Sequence, residues 1–124
     1  MRLSAIALDY DGTIAHGDVL DPRVRDAIAR ARSQGVVVLL VTGRILSELR
    51  RVAGDLHFVD GVVAENGCVI HFPANDYTTL LAPPVPEGFQ QELLRRGIAA
   101  QAGQCLVDLA SVDAPRALEV IRTL

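Results

Sequence analysis

The sequence predicts an α/β fold in which parallel strands alternate with helices. Residues 36–41 form an uninterrupted apolar run of strand length, typical of a strand covered on both faces in a parallel sheet. A shorter apolar run, residues 6–8, ends in a glycine turn roughly thirty residues earlier. Residues 21–35 lie between the two runs and carry the signals of one helix. This order predicts a Rossmann-like parallel sheet with flanking helices.

The predicted crossover helix has clear ends. Asp21 and Pro22 suit its N-cap and first turn, and Gly35 closes it. Apolar side chains recur along it at i, i+3, i+4 and i+7, namely Val24, Ala27, Ile28 and Ala31. A helix of this length can connect two parallel strands.

A second amphipathic helix follows residue 44 and is expected to end at Gly54. Its apolar face consists of Ile45, Leu49, Val52 and Leu56. Segments 58–59 and 62–64 return to strand-like composition, which completes a βαβαβ unit by about residue 64. Residues 65–67 are expected to turn, and residues 68–72 to form a strand that pairs back as a hairpin.

Proline marks the start of a second region. Residues 82–88 are proline-rich and are expected to be a linker, because they cannot continue a helix or a central strand. A helix is predicted over residues 89–96 and a strand over residues 105–109. The chain ends on a helical stripe formed by Ala117, Leu118, Ile121 and Leu124. No later element covers this stripe, so we expect self-association or a missing C-terminal half.

Composition argues against several classes of function. The net charge of −3 argues against a nucleic-acid partner. The longest apolar run is far shorter than a membrane span, and Asp9 and Asp11 interrupt any secretory pattern, so we expect a cytoplasmic protein without a membrane partner. Cys68 and Cys105 lack metal-type spacing and are expected to be reduced, packed thiols without a disulfide.

Two carboxylates, Asp9 and Asp11, stand where the first apolar run ends. Carboxylates at a strand's carboxyl end lie in the crevice where open α/β sheets bind ligands, and the pair can hold a proton or a divalent cation. An acidic turn is an equally open interpretation, because Asp and Gly are common turn formers.

A second set of polar residues, Thr42, Gly43 and Arg44, follows the second apolar run. A hydroxyl, a closely approachable backbone N–H and a guanidinium at a helix start suit a phosphate group. Each set alone could be an ordinary turn. Two such strand ends with one helix between them favour a shared phosphate site.

These segments resemble a known family. Residues 9–13 resemble the first motif of the haloacid dehalogenase (HAD) superfamily of phosphohydrolases, and residues 41–44 resemble its second. Residues 64–70 are similar to the corresponding segment of the Cof-like branch, whose members act largely on sugar phosphates and related metabolites. The resemblance covers about the first 72 residues. It implies the N-terminal part of a HAD-like core over residues 1–81, followed by a linker and the start of an α/β cap over residues 82–124.

The resemblance also implies roles for individual residues. Asp9 is the expected nucleophile, which forms an aspartyl-phosphate, and Asp11 the expected general acid and base. Mg²⁺ is expected on the Asp9 carboxylate and the Asp11 backbone carbonyl. The remaining expected site residues are Thr42, Gly43 and Gly12 for the phosphoryl oxygens, with Arg44 and Asn66 as substrate contacts. For Arg44 a helix-surface position, and for Asn66 a structural turn, remain open.

Two parts of the family pattern are missing. All 12 basic residues are Arg, so no Lys can fill the family's third motif. The candidate for its acidic fourth motif is Asp108 with Asp113, which we interpret instead as a strand-to-helix turn with Asp113 as N-cap.

Three functional hypotheses therefore remain open. The first is a Mg²⁺-dependent phosphatase of small phosphate esters, incomplete in this chain. The second is a non-catalytic module of HAD-like fold that binds Mg²⁺ or phosphate. The third is a receiver-like phosphoacceptor domain, which also groups Asp residues at strand ends.

Overall fold

A computed structural model describes residues 2–124. In chain order its strands and helices are β1 (Ala5–Asp9), β2 (Ala15–His16), β3 (Val19–Leu20), α1 (Pro22–Ser33), β4 (Val37–Val41), α2 (Leu46–Ala53), β5 (Gly61–Ala64), β6 (Val69–Phe72), β7 (Tyr77–Leu80), α3 (Glu87–Arg95), β8 (Ala100–Ala102), β9 (Val107–Leu109) and α4 (Ala114–Thr123). The predicted α/β fold is confirmed.

The main sheet has five strands in the order β1-β4-β5-β6-β7. Strands β1, β4 and β5 are parallel, as predicted for a Rossmann-like sheet. Strand β6 returns antiparallel to β5, which confirms the predicted hairpin, and β7 extends it. The sheet is therefore mixed, and its parallel part consists of the strands that end at the candidate site.

Local signals fixed the crossover helix correctly. The Asp21 carboxylate accepts the N–H of Arg23 at 2.8 Å, and Pro22 occupies the first helical position of α1. Gly35 follows with φ +83°, a conformation that glycine adopts without strain. Because these interactions involve residues close in sequence, the sequence alone could predict them.

The expectation that β4 is covered on both faces is wrong. Val38 and Leu40 are fully buried, but Val37 and Val41 keep 45% and 40% of their surface exposed. The buried pair belongs to one hydrophobic cluster with side chains of α1 and α2, including Ile28 and Leu49. Both helices thus contribute to the core on the same face of β4, and the alternate side chains remain open.

One smaller prediction fails, and a second holds for the position of a residue but not for its hydrogen bond. Phe58 and Val59 are buried but lie in the turn before β5, not in a strand. Asp113 occupies the N-cap position of α4, yet its side chain makes no cap hydrogen bond and contacts Arg116 instead, at 3.1 Å. Composition therefore indicated the N-cap position of Asp113 but not the partner of its side chain, and it did not distinguish a buried turn from a strand at residues 58–59.

A second, smaller hydrophobic cluster lies in the region after the linker. Its buried members, Leu93, Ile98, Ala117 and Val120, come from α3, α4 and the segment after α3. Three other apolar side chains of the C-terminal stripe, Leu118, Ile121 and Leu124, are exposed. The proposed division at residues 81 and 82 remains a prediction. Among residues 2–124, no helix combines the length and apolar character needed to cross a membrane.

Candidate active site

The carboxyl ends of β1 and β4 bring the predicted site residues together. Asp9 pairs with Val41 in the parallel register, so Thr42 follows directly beside the first carboxylate. Six of the predicted residues line one cavity of about 640 Å³: Asp9, Asp11, Thr42, Gly43, Arg44 and Asn66. Gly12 lies in the adjoining turn with φ +73° and is not among the residues that line the cavity.

The turn after Asp9 is built on Tyr10. The backbone N–H groups of Thr13, Ile14 and Ala15 converge on the Tyr10 carbonyl at 3.0 to 3.3 Å, and the Tyr10 ring is fully buried. Its hydroxyl donates to the Asp18 carbonyl at 2.8 Å, which anchors the β2–β3 hairpin. The Asp9 carboxylate stays exposed, with the Thr13 hydroxyl 3.5 Å away. Its oxygens are thus accessible to a ligand.

Asp11 is held by Arg44. The guanidinium donates from Nε to Oδ2 at 2.8 Å and from Nη2 to Oδ1 at 2.7 Å, and Nη2 also pairs with Asp18. These bonds hold the pKa of Asp11 below its ordinary value. Arg44 therefore faces the cavity and not the helix surface. Asp18, which sequence reasoning missed, lies in the β2–β3 turn with φ +69°, and the preceding Gly17 was the available signal.

Thr42 and Gly43 form a tight turn between β4 and α2. The Thr42 side chain is buried, and its hydroxyl oxygen accepts the N–H of Arg44 at 3.1 Å, which leaves the hydroxyl hydrogen free to donate. A Cβ on Gly43 would lie 2.7 Å from the Asn66 side-chain oxygen. Asn66 has φ +57° and packs against this glycine, so the segment after β5 closes on the turn after β4.

The buried carboxylate of Glu65 joins the turn after β5 to the segment before β9. Only 1% of its surface is exposed, and its Oε1 accepts the N–H of Cys105 at 2.9 Å. Its Oε2 has no hydrogen-bond partner among the described residues. A Cβ on Gly103 would lie 2.7 Å from the Glu65 Cδ atom, so this close approach requires glycine. Nothing in the local sequence indicated that Glu65 is buried.

The region after the linker forms one wall of the cavity. Gln101 donates to Glu48 at 2.6 Å. The bonds from Arg51 and, second, from Gln101 lower the pKa of Glu48 to about 2. Asp108 lies on β9 opposite Gln101 and also lines the cavity. Asp108 thus lies within the strand predicted over residues 105–109, and the stretch from Asp108 to Asp113 leads from β9 to α4, as interpreted from the sequence. The alternation of Val107, Asp108 and Leu109 is typical of such a strand.

The donor atoms suit Mg²⁺ in kind but form only part of a site. Asp9 and Asp11 offer carboxylate and carbonyl oxygens, the ligands that Mg²⁺ prefers, and Asp9 pairs with no cation among the described residues. Residues 2–124 contain no cluster of three or more His, Cys, Asp or Glu side chains arranged to hold a metal. Water, substrate oxygens or further protein groups would complete the shell.

A match to a family profile shows to which family the chain belongs. Residues 6–96 match the profile of the haloacid dehalogenase-like hydrolase family, so the chain belongs to that family. The resemblance carried by residues 9–13, 41–44 and 64–70 is thereby confirmed, including its Cof-like character.

Curated relatives include two named phosphatases. The chain is 39% identical over 80 residues to phosphoglycolate phosphatase of Methanothermobacter thermautotrophicus, which covers 64% of this chain and 35% of that protein. It is 34% identical over 70 residues to 5-amino-6-(5-phospho-D-ribitylamino)uracil phosphatase of Bacillus subtilis, which covers 56% of this chain and 24% of that protein. The chain thus spans about a quarter to a third of the curated relatives it matches.

Solved structures agree on the fold. Protein 0175 of Thermoplasma acidophilum aligns with a TM-score of 0.66 at 15% identity, over 99% of this chain and 58% of that one. A haloacid dehalogenase-like hydrolase of Bacteroides thetaiotaomicron aligns with a TM-score of 0.63 at 18% identity, over 98% of this chain and 50% of that one.

Proposed function

We propose that this chain carries the nucleophile half of a Mg²⁺-dependent phosphatase site for small phosphate esters. The observation that carries the proposal is the convergence of Asp9, Asp11, Thr42 and Gly43 on one cavity at the ends of two parallel strands. The named substrates of the two relatives, both small phosphorylated metabolites, support the substrate class.

In the proposed reaction Asp9 attacks the phosphorus atom and forms an aspartyl-phosphate, which water then hydrolyses. Asp11 protonates the leaving oxygen and afterwards takes a proton from the attacking water. The Thr42 hydroxyl and the Gly43 N–H hold the phosphoryl oxygens, whereas the Gly12 N–H already donates to the Ala15 carbonyl at 2.9 Å. The Asp9 carboxylate and the Asp11 carbonyl would hold Mg²⁺, which would neutralise part of the phosphoryl charge.

Arg44 has two successive partners in this proposal. While it holds Asp11, that carboxylate stays ionised and cannot deliver a proton. An arriving phosphate dianion competes for the guanidinium, because Arg binds phosphate and carboxylate with the same bidentate geometry. When Arg44 moves to the substrate, the Asp11 carboxylate loses its partner and can take up a proton. Asn66, which lies beside Gly43, contacts the ester.

The proposal is tested with beryllofluoride, a phosphoryl mimic that an aspartate carboxylate binds in the presence of Mg²⁺. We expect fluorine NMR to show a bound species with the parent chain and with Asp26→Asn, which removes an exposed carboxylate on α1, but not with Asp9→Asn. Equal binding by the Asp9→Asn variant would exclude this carboxylate as the phosphoryl acceptor.

Turnover separates the catalytic proposal from its alternative. We expect the 124-residue chain to hydrolyse p-nitrophenyl phosphate very slowly, because it contains no Lys and loss of one charge-stabilising donor can cost about 10²–10³ in rate. Slow hydrolysis that Asp9→Asn abolishes supports a phosphatase. Mimic binding without phosphoryl transfer to Asp9 favours the non-catalytic binding module.

A further inference from the structure

Two cysteines, distant in sequence, lie on neighbouring turns beside the candidate site. Cys68 follows the turn that contains Asn66, and Cys105 precedes the cavity-lining residues of β9. The Cys105 Sγ atom is 3.8 Å from the Cys68 carbonyl oxygen and 3.5 Å from the Ala82 carbonyl oxygen. Both thiols are free and half-buried, and the chain has no other cysteine.

Glu65 holds both cysteine backbones. Its carbonyl oxygen accepts the N–H of Cys68 at 3.2 Å, and its buried carboxylate accepts the N–H of Cys105 at 2.9 Å. The Cys68 carbonyl in turn accepts the N–H of Leu81 at 2.8 Å. The two turns are thus fastened through one side chain, while each sulfur can still move by rotation about its own Cα–Cβ bond.

We propose that Cys68 and Cys105 form a reversible intramolecular disulfide when they meet a small-molecule disulfide oxidant such as oxidised glutathione. The cross-link joins residues 37 positions apart and ties the segment 103–108 to the turn that carries Asn66. Because Leu106, Val107 and Asp108 line the cavity together with Asn66, oxidation fixes one wall of the candidate site.

The chemistry proceeds by two thiol–disulfide exchanges. The Cys68 thiolate attacks one glutathione sulfur, the glutathione S–S bond breaks, and one glutathione leaves and takes up a proton. Cys105 then loses its proton to solvent and attacks the Cys68 sulfur, which releases the second glutathione. The two protein thiols supply two electrons, and one oxidised glutathione becomes two reduced molecules.

The surroundings of Cys105 favour this order. Burial raises the pKa of its thiol, and the nearby charge of Glu65 raises it further. Cys105 therefore holds little thiolate in solution and reacts slowly with a free oxidant. Once Cys68 carries glutathione, the high local concentration of the neighbouring thiol compensates for its low thiolate fraction.

The test is incubation of the folded chain with oxidised glutathione, followed by alkylation and mass spectrometry. We expect the parent chain to lose both alkylation sites, without a glutathione adduct, and to yield a cross-linked peptide pair from residues 68 and 105. The Cys105→Ser variant should stop at one glutathione on Cys68. Two free thiols, a stable glutathione adduct on the parent chain, or cross-links only between chains would each overturn the proposal.

Hydrogen exchange tests the structural consequence. Oxidation should slow exchange of the backbone amides of residues 103–108 by about tenfold or more in the parent chain, and dithiothreitol should restore the original rate, because a cross-link restricts local opening. The Cys68→Ser and Cys105→Ser variants should show no change. Unaltered exchange in a parent chain shown to be cross-linked would mean that the bond does not fasten this wall.

Discussion

Arg44 pairs with two carboxylates at the candidate site, those of Asp11 and Asp18. Its planar guanidinium satisfies both oxygens of Asp11 and reaches Asp18 in the hairpin that follows. Lys could supply one positive charge there but not the two parallel N–H bonds. The ionisation state of Asp11 therefore depends on where this side chain lies.

We predict that Arg44→Gln raises the pKa of Asp11 toward its ordinary value of about 3.9, and that Arg44→Lys raises it less. Carbon NMR of the labelled Asp11 carboxyl group measures the titration directly. Arg30→Gln, which removes an exposed guanidinium from α1, should leave the Asp11 pKa unchanged. An unaltered pKa in Arg44→Gln would mean that another group keeps Asp11 ionised.

The lowered pKa of Asp11 also predicts how Arg44→Gln changes the pH dependence of the free energy of unfolding. Because the folded pKa of Asp11 is lowered, its pairing stabilises the native state above the unfolded pKa of about 3.9, and this contribution is lost as the pH falls through the folded value. The free energy of unfolding of Arg44→Gln should therefore depend less on pH below about 4 than that of the parent chain.

Between elements, close contacts at glycine position the site. Gly43 admits the Asn66 side chain at the turn between β4 and α2, and Gly103 admits Glu65 beside β8. Each contact joins segments far apart in sequence. A methyl group at either glycine would displace a polar side chain that lines or supports the cavity.

We predict that Gly103→Ala destabilises the chain by about 1–3 kcal/mol, because the buried Glu65 carboxylate must move and lose its bond from Cys105. Gly88→Ala is the matched control. Nothing lies within 4 Å of a Cβ at that position in α3, so Ala should stabilise the helix by up to about 1 kcal/mol. Urea unfolding of both variants measures the difference, and equal effects would contradict the contact.

How far the sequence predicted these elements follows from the range of the interactions. The N-cap at Asp21 and the strand ends at Asp9 and Thr42 depend on neighbouring residues, and all three were predicted. The pairing of Arg44 with Asp11 spans 33 positions, and the bond from Cys105 to Glu65 spans 40. No periodicity records such contacts, and Glu is rarely buried, so the sequence could not reveal them.

At the scale of the molecule, residues 2–124 form two hydrophobic clusters of unequal size. The larger joins the main sheet to α1 and α2, whereas the smaller is confined to α3, α4 and the β8–β9 region. The connections between them include the bonds from Cys105 to Glu65 and from Gln101 to Glu48. Because few polar links hold it and its hydrophobic core is small, the region of the smaller cluster should unfold locally while the region of the larger cluster stays folded.

We predict that Leu93→Ala accelerates hydrogen exchange in α3 and α4 by tenfold or more while exchange in β4 and β5 stays near the parent rate. Leu93 is 2% exposed in the smaller cluster, and truncation of such a leucine costs about 2–5 kcal/mol. Its neighbour Leu94 is 79% exposed, so Leu94→Ala should change exchange little. Equal acceleration in β4 and β5 by Leu93→Ala would instead mean that both clusters unfold as one cooperative unit, because a local opening cannot expose the amides of the larger core.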